Sequence, residues 1–412
     1  MIKVWADDEA SGALTPFAQH GSAFAYGATT AAHRAVSLTM PVRLPSWNRA
    51  HGLHPIFDMN LPEGMLRERL RLAFSKATGA FGELELLSIV GRSQIGRIRY
   101  TGMDEILDAD VPFQSVDEIL GQQRDGNFYR YLLDKFAPSS GISGVQPKIL
   151  VRDETASKLL QGKTARVSEH LRGATHIVKF WDANEYPQLA ANEYFCLRVA
   201  QHAGLAVPTI QLANNGRALV VERFDLRTDG TYCGVEDFCV LNGFQAQQKY
   251  QGSYETALIK RFTQFATSAR LPNELEHLFT LFVINCVLEN GDAHLKNFSL
   301  MYDDVFGEVK LAPVYDIVTT TVYVPNDRMA LTLNGNTRWP SAAELQHFGE
   351  TRIGLSRKRM HELFADIARA VATTTNELRN YQAEHPDFRK VGDAMLASWQ
   401  RGLAHSLPQA HA

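Results

Sequence analysis

The hydrophobic period changes near residue 260, and that change restricts the chain to few architectures. Upstream, apolar and β-branched runs of strand length recur: Ile149-Leu150-Val151, Thr175-His176-Ile177-Val178-Lys179-Phe180 and Ala218-Leu219-Val220-Val221. Between the last two lies one clear helix, Leu189 to Ala203, stopped by Gly204. Downstream the spacing is helical. Asn273 and Glu276 predict a capping box before an apolar helix over 274–290. Met360, Leu363, Phe364, Ile367, Ala368 and Val371 predict a core-facing stripe. A strand-rich half followed by a helix-rich half implies an α+β chain in two lobes. At 412 residues it exceeds what one hydrophobic core serves. The expected divisions are 1–110, 111–228 and 229–412. Within the first, Leu61-Pro62-Glu63 marks a helix start, with Met65, Leu66, Arg69, Leu70 and Phe74 as its stripe. Ser88 to Gly96 reads as a strand, a turn and another strand, and Arg97, Arg99 and Tyr100 as a solvated basic strand face. The stretch 228–260 carries turn residues and glutamines and has no assignable period.

Composition excludes several classes. Apolar residues make up 45% and charged residues 21%, the balance of a folded soluble protein. A net charge of −3 gives no global attraction to nucleic acid or anionic membrane, so DNA contact would need a local patch or a partner. Cys196, Cys233, Cys239 and Cys286 form no CxxC pair and sit in apolar surroundings, which predicts free core thiols in a reduced, cytoplasmic protein. Met1 to Asp8 has no secretion-signal pattern, and the apolar stretch Leu278 to Leu288 is too short to span a bilayer. No HExxH, paired CxxC or GxSxG motif occurs, so neither a zinc site nor an α/β-hydrolase elbow is expected.

The segment with most chemical content is Asn290-Gly291-Asp292-Ala293-His294-Leu295-Lys296-Asn297, directly after the apolar helix. Phosphoryl transfer needs a carboxylate to orient the attacking hydroxyl and, a few residues on, an oxygen ligand for Mg²⁺. Asp292 followed by four residues and Asn297 has that spacing. Alone, the pattern equally describes a polar loop capped by Asp and Asn. The next twenty residues add weight. Residues 297–302 and 309–312 read as a hairpin, which brings Asn297 close to Asp316. Two oxygen ligands beside a third carboxylate suit a hard cation such as Mg²⁺. The small-residue run Ser139 to Gln146 could let backbone N–H groups approach phosphate, or could be an ordinary surface loop. Lys179, alternating outward from Ile177 and Val178, could pair with Glu193, which shares the inward stripe of Cys196, Val199, Ala200 and Ala203. The alternative is a solvated glutamate favoured by the helix dipole. His294 could contact phosphate or hydrogen-bond within its loop.

Taken in order, Gly141-Ile142-Ser143-Gly144-Val145-Gln146-Pro147-Lys148, Thr175 to Lys179, Asn192-Glu193-Tyr194, Val221-Glu222-Arg223-Phe224-Asp225, Gly291 to Asn297 and Tyr315-Asp316-Ile317 resemble the HipA family. These are serine/threonine protein kinases that act as toxins of type II toxin–antitoxin modules. The resemblance is collinear over roughly residues 1 to 375. It implies a two-lobed protein-kinase-like fold: an extra N-terminal subdomain (1–110), a strand-rich nucleotide-binding N-lobe (111–228) and a mainly helical catalytic C-lobe (229–412). It implies ATP and Mg²⁺ as cofactors, Asp292 as catalytic base, and Asn297 and Asp316 as metal ligands. Ser143, Gly144, Val145, Gln146 and Lys148 match the loop over the phosphates, Lys179 the phosphate lysine paired with Glu193, and Glu222, Arg223 and Phe224 the adenine hinge. His294, Lys296 and Tyr315 complete the nucleotide set. The implied substrate is an aminoacyl-tRNA synthetase, whose phosphorylation arrests growth. The implied partner is a helix-turn-helix, HipB-like antitoxin, through which alone DNA would be contacted. One departure stands out. The position at which family members carry the autophosphorylated loop serine is Gly141 here, which leaves Ser143 as the candidate acceptor and Ser139 and Ser140 as its rivals. Two other readings fit parts of the pattern: a small-molecule phosphotransferase, and a non-catalytic partner-binding module of a repressor complex.

Overall fold

Alternating burial along the first strand sets the N-terminal architecture. β1 (Ile2–Ala6) turns Ile2, Val4 and Ala6 inward, as period-2 strand geometry requires. With β2 (Glu9–Phe17), β3 (Gly21–Tyr26), β4 (Trp47–Arg49) and β5 (Ile98–Gly102) it forms an antiparallel sheet of order β4-β3-β2-β1-β5. The computed structural model describes residues 1–78, 81–108, 110–122, 126–153, 173–181 and 186–408. They divide into two units. The first comprises Met1–Phe180, Ala213–Gln248 and Ser299–Val309; the second comprises Trp181–Leu212, Lys249–Phe298 and Lys310–Ala412.

In the first unit, α1 (Gly64–Thr78) presents Leu66 and Leu70, and α2 (Glu83–Val90) presents Leu86, Leu87 and Val90, to one core with Phe24 and Tyr100. This corrects the strand, turn and strand expected over Ser88–Gly96: residues up to Val90 are helical, and 91–97 form turns and bends with an isolated bridge at Gln94. Leu86, Leu87 and Val90 keep helical spacing, and the Glu85 carboxylate accepts from the Gly82 N–H at 3.0 Å to start the turn. The expected solvated edge is also corrected: Arg97 and Arg99 are 3% exposed and Tyr100 is 1% exposed. Arg97 donates to Asp7 and to the Ala35 carbonyl, while Arg99 donates to the carbonyls of Gly96 and Ile98. Paired in this way, guanidinium groups tolerate burial.

Two helices join the one predicted over 111–225: α3 (Val116–Gly121), capped by Ser115, and α4 (Gly126–Phe136), which buries Tyr129, Leu132, Leu133 and Phe136. β6 (Lys148–Val151), β7 (His176–Phe180) and β8 (Ala218–Glu222) pair antiparallel in that order, and β9 (Gly234–Asp237) pairs with β10 (Ser299–Tyr302). The second arm of the expected hairpin forms as β11 (Val309–Leu311).

Buried charge fastens the N-terminal sheet to this region. The Arg223 guanidinium donates to both carboxylate oxygens of Asp225, at 3.0 and 2.6 Å, and to the Gln94 carbonyl at 2.9 Å. Asp225 accepts in turn from the Gly96 N–H at 2.7 Å. Arg223 and Arg99 both lie against the Tyr232 ring, 4.1 and 4.5 Å from its centroid. Glu236, also buried, accepts from the Ser37 hydroxyl, the Leu38 N–H and the Tyr302 hydroxyl, and burial raises its pKa.

The second unit is built on α5 (Leu189–His202), α6 (Leu271–Val287), α7 (Arg357–Glu384) and α8 (Arg389–Ser406). α5 packs on α7, and α8 packs on both α6 and α7. The predicted capping box does not form. α6 begins at Leu271 with Pro272 in its first turn, which places Asn273 inside the helix, and Glu276 instead binds Arg359 at 2.6 Å. Gly402 lets α8 cross the end of α6 closely, since a Cβ there would lie 2.0 Å from the Val287 carbonyl oxygen. Among the described residues no helix is long and apolar enough to cross a membrane. All four cysteines are free and buried.

Because Arg223 and Asp225 are both fully enclosed, removing one partner strands the other's charge. Arg223→Ala should cost about 3–5 kcal/mol of stability in equilibrium denaturation, well beyond the effect of an exposed ion pair.

Candidate active site

Helix α6 is apolar nearly all round, and its end determines where the polar loop begins. Glu289 takes a left-handed conformation (φ +52°), and the Asn290 N–H donates back to the Asn285 carbonyl at 2.9 Å. The Asn290 side chain donates to the Asn285 amide oxygen at 2.7 Å. Arg401 on α8 grips Glu289 at 2.6 Å, and Thr321 donates to it at 2.9 Å. Gly291 follows because nothing larger fits: a Cβ would lie 2.1 Å from Asp327 Oδ2 and 2.6 Å from the Arg328 carbonyl oxygen.

These contacts deliver Asp292, Asn297 and Asp316 to one place. Asn297 Nδ2 donates to the backbone oxygen of Asp292 at 2.8 Å and to that of Asp316 at 3.4 Å. Carbonyl oxygens only accept, so the amide nitrogen must face them and Oδ1 points the other way, available to a cation. Asp316 is held in the left-handed region (φ +55°), an uncommon backbone state for a non-glycine residue. The neighbouring Tyr315 hydroxyl donates to the Lys296 carbonyl at 2.9 Å, and Asn192 and Trp399 fix Thr319 through hydrogen bonds of 2.8 Å each.

The Asp292 side chain is 48% exposed. Partial burial raises its pKa, and the carboxylates of Asp316 and Asp327 push in the same direction; the Tyr250 hydroxyl, donating at 2.6 Å, and Lys249 oppose them. His294 is buried, and its Nδ1 has no hydrogen-bond partner among the described residues. Burial and the charge of Lys249 take its pKa down to about 3. Its Nε2, 3.9 Å from Asp292 Oδ1, therefore belongs to a neutral ring. Asn297 Oδ1 and the Asp316 carboxylate offer hard oxygen donors without sulfur or imidazole, a donor set that fits Mg²⁺.

The first unit carries the other predicted residues except Glu193. Lys148 on β6 and Lys179 on β7 are directly opposed in register, so their side chains share one face of the sheet. Both are buried, which corrects the outward orientation expected of Lys179. Gly144 (φ +122°) lies against Lys148, whose Nζ would be 2.4 Å from a Cβ at that position. Ser143 donates to the Glu63 carboxylate, and Gln146 Nε2 to the Phe180 carbonyl at 2.9 Å. Val145 is exposed.

Gly141 is accounted for by packing, since a Cβ would meet the Ser93 carbonyl oxygen at 2.7 Å. Ser140 is fully buried, donating to the Phe136 carbonyl and accepting from the Leu150 N–H. At the positions expected to form a hinge, Glu222 is exposed, Phe224 is half-buried, and the Arg223 side chain is committed to Asp225. Glu193 belongs to the second unit and is buried in α5, not solvated, whereas Lys179 belongs to the first.

Pattern reading missed Tyr250 and Asp327. Tyr250 falls in the aperiodic 228–260 stretch, and neither residue belongs to a motif that would single it out.

The sequence pattern of the HipA-like C-terminal domain matches residues 140–375, and that of the HipA N-terminal domain matches residues 2–101. A protein of Sinorhizobium fredii named putative kinase Y4mE is 28% identical over 424 residues, covering 96% of each chain. The serine/threonine-protein kinase toxin HipA of Shewanella oneidensis is 25% identical over 257 residues, 58% of this chain and 57% of that one. Among solved structures, Shewanella oneidensis HipA, in complex with HipB and operator DNA, has the same fold, with a TM-score of 0.64 over 98% of both chains at 19% identity.

The His294 environment sets a pH dependence. Below the ordinary histidine value of 6.5 the unfolded chain binds a proton that the folded ring refuses, so stability falls on acidification from there toward about 3. NMR should show the His294 ring resonances not titrating between pH ~8 and ~5, and His294→Gln should flatten the stability slope in that window.

Proposed function

The chain belongs to the HipA family, and we propose that it is an ATP- and Mg²⁺-dependent serine/threonine protein kinase acting as the toxin of a toxin–antitoxin module. The observation that carries this reading is the meeting of Asp292, Asn297 and Asp316 around one amide, with Asn297 oriented by its two carbonyl partners. Asp292 is the group that accepts the hydrogen bond of an acceptor hydroxyl and aligns its oxygen for attack. Asn297 Oδ1 and Asp316 would hold Mg²⁺, which supplies charge neutralisation of the phosphates when bound. Lys148 and Lys179, side by side on one sheet face, suit the phosphate oxygens of ATP. The backbone of residues 143–146 would lie along those phosphates, and that of Glu222 to Phe224 would meet the adenine. Lys179 is assigned the phosphate lysine of a kinase, with 111–228 as nucleotide-binding N-lobe and 229–412 as catalytic C-lobe.

The partner we infer is a helix-turn-helix antitoxin, supported by the fold shared with a HipA that was solved with HipB and operator DNA. DNA would be reached through that partner, in keeping with a net charge of −3. The substrate class implied by the family resemblance is an aminoacyl-tRNA synthetase.

Asp292→Asn keeps the shape of the loop and removes the acceptor charge. It should lower ³²P transfer from ATP to cell-extract proteins by about 10²- to 10⁴-fold and abolish growth arrest. Equal transfer and equal toxicity in both proteins would refute the kinase assignment. Incubation with Mg-ATP should place phosphate on Ser143, read by mass spectrometry and absent from Ser143→Ala. Phosphate found only elsewhere, or nowhere, would remove Ser143 from the scheme.

A further inference from the structure

Tyr250 stands outside every motif, yet its hydroxyl lies 2.6 Å from Asp292 Oδ1. That is the length of a charge-assisted O–H···O⁻ bond. A carboxylate oxygen supplies accepting lone pairs, so the Tyr250 hydroxyl donates and Asp292 accepts. The other carboxylate oxygen, Oδ2, makes no hydrogen bond among the described residues.

The side chain is 51% exposed, but its position is defined. Its ring stands edge-on to His294, with centroids 5.2 Å apart and planes at 75°. The Lys249 ammonium lies 5.3 Å from the ring centroid. The Lys249 carbonyl accepts from the Leu295 N–H at 3.0 Å, which pins this segment to the loop bearing Asp292. Two residues on, Gly252 turns the chain at φ +103°, and its carbonyl accepts from the Thr332 hydroxyl at 3.3 Å. A phenylalanine would satisfy the ring contacts equally well. Only the hydroxyl addresses Asp292.

We propose that Tyr250 is a positioning residue for the acceptor side of the reaction: by holding Oδ1 it fixes the Asp292 carboxylate and presents Oδ2 to the incoming hydroxyl. The inference rests on the kinase reading, since it assigns Asp292 the acceptor. A half-exposed carboxylate without such a restraint turns about its side-chain bonds and meets the acceptor in many orientations, and misalignment at the reacting atom is costly. The contact predicts a selective effect. Tyr250 bears on alignment of the acceptor oxygen and leaves nucleotide binding to other residues.

The test measures kcat and the ATP KM for wild type, Tyr250→Phe, Asp292→Asn and the double variant in the full chain. Rates are normalised to the concentration of nucleotide-binding sites, so that any misfolded fraction drops out. Tyr250→Phe should lose about tenfold or more in kcat, with ATP KM within about twofold of wild type and an unchanged melting temperature. Added to Asp292→Asn, it should cause no further loss, because the residue acts through a carboxylate already removed. Unchanged or faster transfer by Tyr250→Phe overturns the proposal; faster transfer would mean that the hydroxyl blocks the base. An equal loss in both backgrounds also overturns it, since Tyr250 would then act independently of Asp292. If wild type and Asp292→Asn are equally inactive, the kinase reading itself fails. If Asp292→Asn alone is impaired, only the Tyr250 assignment falls.

Discussion

The exit of helix α6 is the constraint on which the loop bearing Asp292 depends. A helix this apolar must be buried, so the polar residues beyond it emerge from a fixed point. The chain turns there through left-handed Glu289, whose carboxylate is taken by Arg401 and Thr321. A strained residue persists only where its surroundings over-determine it, and two side chains hold Glu289 here. Gly291 then passes against Asp327 and the Arg328 backbone, in space that no other residue could share. Asp292 is thus positioned from behind by packing before any of its own polar contacts are counted.

The same logic governs the first unit in electrostatic form. Arg97, Arg99, Arg223, Asp225 and Glu236 are all buried, and each is met by a carboxylate, a backbone group or an aromatic face. Such networks are worth less as net stability than as specification, because any rearrangement leaves a charge unsatisfied. Here they fasten residues 94–99 to the segment following β8, the segment assigned to adenine. The N-terminal sheet is therefore tied to the segment following β8 through buried hydrogen bonds. The loop before β6 is likewise fitted to its neighbours, with Gly141 packed on Ser93 and Ser143 turned to Glu63.

Family membership and local geometry bear on different claims. The matches to both HipA domains say what kind of protein this is. They do not say why Asn297 faces as it does or why His294 stays neutral. Those follow from acceptor-only carbonyls around one amide and from enclosure of an imidazole. The roles proposed for Asp292, Asn297 and Asp316 rest on that second kind of observation.

Sequence by itself determined the strands at 148–151, 176–180 and 218–222, the helix ending before Gly204, and the spacing of Asp292 and Asn297, because each is a local pattern with a local cause. It misjudged Ser88–Gly96, where a short apolar run fits either period, and Arg97 and Arg99, where charge suggested solvent. It also placed a helix cap at Asn273, although Pro272 and tertiary partners let the helix begin earlier. Tertiary structure alone decided that Lys148 opposes Lys179, that Asp327 closes on Gly291 and that Tyr250 reaches Asp292. Each of these joins residues between 31 and 42 positions apart, a distance over which periodicity carries no information and only the packed chain sets the contact.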